Sequence, residues 1–404
     1  MGFWINLFLS RMSNGRERRQ HHISRRLISF LPEGRNVIVC GGSSAPSSLA
    51  EEIKENAVLD GVLDAAEKGT PTLCLFSDRR LIDQLLRERG PDGRIVVFGK
   101  DLRYMPFDKN ITFHQANDLF SSVLDIYGKQ TEAAHSILSM LLSILSANLG
   151  SAYFTWDNLC YLVGHLFQTD AERKGSVSFT GEKEFLDWVE QETGCPVDYS
   201  IQNVLTLGWK DALSGFRDFW LAFKGQLDRL GRNYMPGRSL YSCLLDGLVC
   251  VFPVPKLHSE LLLESLLQEL AIFRDSAYVE HLLIDYGVGL ESATRNRLFD
   301  HGSSLLVGDT FLSLGIADCV IPTPSFVCLG VSNQDAKRII EYMVYSGVWR
   351  SSSLTMGRHT SGITFSDSIR EPITPDNLSY ANIPDGSAYL ITPNGSRRVG
   401  FLLT

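Results

Sequence analysis

Short apolar runs alternate with helical stretches at the two ends of this chain, and between them lies a long segment with almost no strand signal. Val37–Cys40, Thr72–Phe76 and Arg94–Phe98 read as strands. Leu49–Lys68 and Asp78–Arg89 read as the helices between them, and Gly90-Pro-Asp-Gly93 as a turn. Apolar strands joined by helices call for a parallel sheet covered on both faces. From Asn117 to Gly231 the period becomes helical. Ile137-Leu138, Leu141-Leu142 and Leu145 form one stripe; Leu213, Phe216, Phe219-Trp220 and Phe223 form another. Such stripes are more often core than ligand platform. Thr155–Phe167 and Glu182–Thr193 read as shorter helices, with a polar loop over 168–181. The alternation then returns. Leu244–Pro253, His281–Asp285, Ser304–Gly308 and Phe326–Val331 are predicted strands, with helices at Leu257–Asp275, Leu290–His301 and Gln334–Tyr345. Two short strands, Ala388–Thr392 and Val399–Leu403, close the chain. The predicted organisation is an N-terminal segment 1–30, an α/β domain built from 31–116 and 236–404, and an all-α insertion 117–235.

The first strand runs into Gly41-Gly42-Ser43-Ser44-Ala45-Pro46-Ser47-Ser48 and then into a helix. That is the setting of a phosphate-binding loop, G-x-x-x-x-G-K-[ST]. Gly41 is in place, but Pro46 stands at the second glycine and Ser47 at the lysine, while Ser48 keeps the hydroxyl. Pro46 also lacks one of the N–H groups that cradle phosphate. A strand-to-helix turn can also carry a nucleophile, but there is no G-x-S-x-G here and no histidine that the sequence pairs with Ser47 or Ser48. Further on, His281-Leu-Leu-Ile-Asp285 is an apolar strand ending in an acid, where a nucleotide hydrolase holds magnesium. The next residue, where a water-polarising Glu is usual, is Tyr286.

Hydrophobic residues make up 44% and charged residues 21%, so the chain is an ordinary globular one rather than a disordered tail. Its net charge of −8 disfavours a broad nucleic-acid surface. One basic cluster exists near the start: Arg16, Arg18, Arg19, Arg25 and Arg26, with His21 and His22 between. It fits a solvated amphipathic helix, or contact with nucleic acid or anionic lipid. Phe3–Leu9 before it is too short to span a bilayer and lacks the flanks of a signal peptide, which leaves an interfacial anchor or a docking segment. The eight cysteines form no C-x-x-C pair, and the nine histidines show no ligand spacing. A reducing, cytoplasmic setting is expected, with peripheral membrane contact compatible, and no metal site.

With these segments in order, the chain resembles the type IV coupling proteins of conjugation and secretion, the TraG/TraD type within the FtsK/HerA group. Ala277–Leu314 is similar to their acid-bearing strand, helix, strand and turn. Phe326–Lys337 is similar to their strand and "d-x-x-x-A-K" helix. Arg370–Leu378, Ile383–Gly386 and Ala388–Thr392 resemble their closing segments, and Arg94–Phe107, ending Met105-Pro106-Phe107, resembles the strand after their first helix. The resemblance implies a RecA-like P-loop domain interrupted by an all-α domain. It also implies what is changed. The P-loop Lys falls on Ser47, the catalytic Glu on Tyr286, the sensing Gln on Asp309, and the arginine-rich turn on Phe299-Asp300-His301. Ser48 and Asp285 remain, and no counterpart of the family's N-terminal transmembrane hairpin is expected.

Losing the Lys, Glu and Gln together argues against hydrolysis, since a single arginine finger alone is worth about 10³–10⁵ in rate. The expectation is therefore a degenerate site at Gly41, Gly42, Pro46, Ser47, Ser48, Asp285, Tyr286 and Asp309, with no catalytic residue and no ATP–magnesium requirement. The expected partners are proteins: active ATPase subunits or other components of a secretion, conjugation or mobile-element machine. The competing readings are a divergent ATP-driven DNA motor, and an ATP-independent DNA-binding module using Arg16–Arg26.

Overall fold

A computed structural model of the chain describes residues 36–42, 49–89, 93–128, 131–148, 151–167, 182–194, 209–232, 234–255, 258–299, 302–345, 373–383, 387–392 and 395–400. Pro46, Ser47, Ser48, Phe3–Leu9, the Arg16–Arg26 cluster, Asp300 and His301 lie outside these residues.

The first strand, β1 (Val37–Cys40), is buried throughout and leads to helix α1 (Leu49–Lys68). Glu51 and Glu52 near the start of α1 and Lys68 in its last turn match the helix dipole. Strand β2 (Thr72–Phe76), helix α2 (Arg79–Glu88) and strand β3 (Ile95–Val97) follow. Asp78 caps α2 by accepting the Arg80 N–H at 2.8 Å.

A short strand β4 (Arg103–Tyr104) then leads into five helices: α3 (Phe113–Tyr127), α4 (Thr131–Asn148), α5 (Trp156–Leu166), α6 (Glu182–Thr193) and α7 (Trp209–Leu227). Thr112 and Gln115 form a capping box at the start of α3, and Gly128 ends it at φ 69°. The aromatic stripe of α7 is core: Phe216, Phe219, Trp220 and Phe223 are buried, and Trp220 stacks on Trp156 with centroids 5.0 Å apart. The chain returns at β5 (Gly237–Arg238), which pairs in parallel with β4.

Next come α8 (Leu240–Leu245), β6 (Val249–Pro253), α9 (Glu260–Ala277), β7 (Leu282–Tyr286), β8 (Ser303–Gly308) and β9 (Ser325–Cys328). Helices α10 (Asn333–Tyr345) and α11 (Pro375–Leu378) precede the hairpin of β10 (Ser387–Thr392) and β11 (Gly395–Gly400). The strands form one sheet in the order β11-β10-β9-β1-β8-β7-β2-β6-β3. From β9 to β3 every neighbouring pair is parallel, and β10 and β11 are antiparallel additions at one edge. Alternation along β1 sends Val37 and Val39 to a core shared with α1 and α2, and Ile38 and Cys40 to the core on the other face. That second core runs through α9, buried continuously from Leu261 to Phe273, into the aromatic interior of α3–α7.

Four predicted elements are corrected. Leu244–Pro253 is not one strand: Ser239 caps a helix ending at Leu245, Gly247 turns at φ 68°, and β6 begins at Val249. Leu290–His301 is not a helix over the described residues. Its backbone makes only a 3-10 turn at Arg295–Arg297, because Ser292 and Thr294 give their hydroxyls to the buried Glu264 of α9 instead of packing a helical face. The strand predicted at Phe326–Val331 stops at Cys328, since the chain turns at Gly330 (φ 84°). The last strand, β11, spans Gly395–Gly400, ahead of the predicted Val399–Leu403.

Candidate functional site

The carboxyl ends of β1, β8, β7 and β2 lie side by side, the place where open parallel sheets bind ligands. At the end of β1 the described part of the degenerate loop is Gly41 and Gly42, with φ 114° and 84°. An added Cβ on Gly41 would lie 2.3 Å from the Gly330 carbonyl oxygen, so this position needs glycine for close approach as well as for its φ. The Gly42 N–H donates to the same carbonyl at 3.0 Å. The first amide of the loop is thus turned toward the end of β9.

Beside it, a cleft of about 130 Å³ is lined by Glu51, Lys54, Ser77, Asp78, Tyr286, Gly287, Val307, Gly308, Asp309 and Ser313. Tyr286 and Asp309, both predicted as altered site residues, therefore face one space. Asp285 is fully buried behind it. Its two carboxylate oxygens accept the N–H groups of Val288 and Gly289, each at 3.1 Å, and so hold the turn after β7. That turn packs closely against the one after β8: a Cβ on Gly289 would lie 2.8 Å from the Ser313 carbonyl.

Glu51 and Lys54, on successive turns of α1, were not predicted as site residues. The Lys54 ammonium is 1% exposed and lies 2.6 Å from Glu51 Oε2 and 2.6 Å from Asp309 Oδ1. Tyr286 donates its hydroxyl to Glu51 Oε1 at 2.6 Å. Burial pulls the Lys54 pKa down, but the bonds to Asp309 and Glu51 outweigh it and hold the group above its ordinary value. Burial, followed by the bond to Glu51, raises the Tyr286 phenol well out of reach of a general base. Burial also raises Glu55, together with its acidic neighbours Glu51 and Asp78.

Nucleotide and magnesium, which a P-loop fold implies, do not suit these groups. The cleft offers Glu51, Asp78 and Asp309, and its lysine is already neutralised by two of them. A phosphate oxygen about 4 Å from one such carboxylate is repelled by about 4 kcal/mol at an effective dielectric of about 20. The metal-holding position, Asp285, already serves the turn. Among the described residues no group of three or more His, Cys, Asp or Glu side chains could hold a metal ion.

Phe299, at the predicted arginine-turn position, is buried at 2% exposure. Two arginines stand just before it. Arg295 donates to the Gly315 carbonyl at 3.3 Å and lies 3.6 Å from Asp318, and Arg297 pairs with Asp275 at 3.0 Å. The run Arg295-Asn-Arg297 was the sequence signal for them. The seven cysteines among the described residues are free thiols. No helix among the described residues is long and apolar enough to cross a membrane.

The sheet order, the all-α insertion and the cleft at the strand ends define the class: a RecA-like P-loop fold. No family model matches the chain, and no curated protein does. Among solved structures it is similar to the bacterial conjugative coupling protein TrwBdeltaN70 in its unbound monoclinic form, with a TM-score of 0.52 and 15% identity over 92% of this chain and 87% of that one. A structure of VirB4 of Thermoanaerobacter pseudethanolicus matches over 91% of this chain and 89% of that one, with a TM-score of 0.43 and 12% identity. The likeness to TrwBdeltaN70, at this identity, is one of fold.

Proposed function

We propose that this protein is a non-hydrolysing relative of the coupling-protein ATPases, acting through its surfaces as an assembly or substrate-recruitment subunit of a conjugation, secretion or mobile-element machine. The observation that supports it best is the pair at the end of β7. Asp285 gives both oxygens to backbone N–H groups, and the next side chain is a phenol that donates to Glu51. Neither group is arranged to hold a metal or to activate water. Ser47 at the P-loop lysine position points the same way. The setting is taken from the fold shared with a conjugative coupling protein, and fold by itself does not fix function. Its partners on this reading are proteins, including active ATPase subunits, and no cofactor is needed.

The test is magnesium with a non-hydrolysable ATP analogue at millimolar concentration, read by thermal shift, beside phosphate release from ATP. No shift and no release are expected. A shift with turnover would establish the motor reading instead. Salt-dependent DNA retention, lost on Arg→Ala changes at Arg16, Arg18, Arg19, Arg25 and Arg26, would establish the DNA-binding one.

A further inference from the structure

Three bonds run in series across the cleft: the Tyr286 hydroxyl to Glu51, the Lys54 ammonium to Glu51, and the same ammonium to Asp309. They join the end of β7, two turns of α1 and the end of β8. In a working P-loop enzyme the helix after the loop and these strand ends are held by nucleotide phosphates and a metal. Here the same elements are joined by the chain's own side chains, in a space whose carboxylates disfavour phosphate. Each group has a matching partner. Glu51 accepts with both oxygens, Lys54 donates to two carboxylates, and the phenol keeps its proton. The lysine's burial at 1% exposure is tolerated because both of its counter-charges are in contact.

We infer that the Lys54 ammonium is a built-in ligand of this cleft, replacing the nucleotide–metal tie between α1 and the ends of β7 and β8, and holding them in one arrangement. A motor needs that arrangement to change with the nucleotide; an assembly subunit benefits from keeping it fixed. The inference rests on the reading given under Proposed function.

The test is a double-mutant cycle on the full chain, with Lys54→Met, Asp309→Asn and the pair together, read by urea denaturation and by hydrogen exchange of peptides covering residues 49–60 and 303–309. Each single change should lower the midpoint, and the pair should be no worse than Lys54→Met alone. Exchange should rise more in those two peptides than in α3–α7. Asp309→Asn changes a half-exposed, isosteric side chain, so it gives an answer even if Lys54→Met does not fold. Strictly additive losses, or unchanged exchange in Asp309→Asn, would overturn the tie. Protection of the same wild-type peptides by the magnesium–ATP analogue would overturn the replacement, and phosphate release from ATP would overturn the non-hydrolysing reading. Additivity overturns the tie alone, so the two failures are distinguishable.

Discussion

Tyr286 follows Asp285 directly, and its phenol donates a hydrogen bond to Glu51 and keeps its proton, so it cannot take one from water. Restoring the acid alone should therefore restore nothing. Tyr286→Glu is expected to leave phosphate release at background, and to cost about 1–3 kcal/mol by setting a second carboxylate against Glu51 without a donor. Tyr286→Phe keeps the ring and should cost about 1 kcal/mol, the net worth of one hydrogen bond. Urea denaturation measures both. Lys54 gives a pH signature with a definite sign. Its folded pKa lies above the ordinary 10.5, with the bonds to Asp309 and Glu51 overcoming burial. Its contribution is then complete below 10.5 and lost as pH rises through the folded value. The gap in stability between wild type and Lys54→Met should stay constant through neutral pH and close in alkali. A gap that persists undiminished in strong alkali would overturn this assignment.

Helix α9 is the element that joins the two kinds of architecture, and it does so with buried carboxylates as well as leucines. Glu264 accepts the hydroxyls of Ser292 and Thr294 in the loop after β7. Glu269 accepts the Tyr104 hydroxyl at 2.5 Å and the Tyr241 N–H at 2.8 Å, where the chain enters and leaves the helical segment. Burial raises the Glu269 pKa well above its ordinary 4.5, and burial also raises Glu264. Above the ordinary value the folded state therefore holds protons the unfolded chain has released. The stability these groups contribute is complete below 4.5 and falls as pH rises toward their folded values. Glu269→Gln should flatten the decline in stability above pH 4.5, measured by urea midpoints from acid to neutral pH. An unchanged slope would show that Glu269 does not carry it. Glu264 also explains where the sequence misleads. Val37–Cys40, Thr72–Phe76 and Leu49–Lys68 were legible to the residue, because strands buried on both faces are unbroken apolar runs and the helix carries its own charge signals. Leu244–Leu245 belong to a short buried helix, which an apolar run cannot distinguish from a strand. The Leu290–His301 segment is shaped by a carboxylate on another helix. Asp285, Tyr286 and Asp309 could be placed because each sits at or just beyond a strand end. Lys54 could not, since its burial depends on Asp309, 255 residues away.

At the scale of the whole molecule, the decisive fact is that among the described residues the helical segment shares its core with the sheet. One hydrophobic cluster runs from Ile38 and Leu73 on the sheet, through Leu266 and Leu270 of α9, to Leu141, Trp156 and Phe223 among the inserted helices. The insertion is entered and left through the two-residue strands β4 and β5, paired as Arg103 with Gly237 and Tyr104 with Arg238. Two necks this short, with α9 filling the space above them, make the sheet and the helices depend on the same buried surface. They should unfold as one unit. Four of the six tryptophans, Trp156, Trp188, Trp209 and Trp220, lie in α5–α7, so with Trp4→Phe and Trp349→Phe in place tryptophan fluorescence reports on the helices. Far-ultraviolet circular dichroism reports on sheet and helices together. In urea the two signals should give superimposable transitions. Leu266→Ala, at a fully buried position of α9, should shift both by the same amount, corresponding to about 2–5 kcal/mol. If the insertion were an independently stable module, the fluorescence transition would separate from the circular dichroism one, and the leucine change would move one of them more than the other. An assembly subunit that works by shape requires the first outcome, since a partner docked on the helices is then held in fixed register with the sheet.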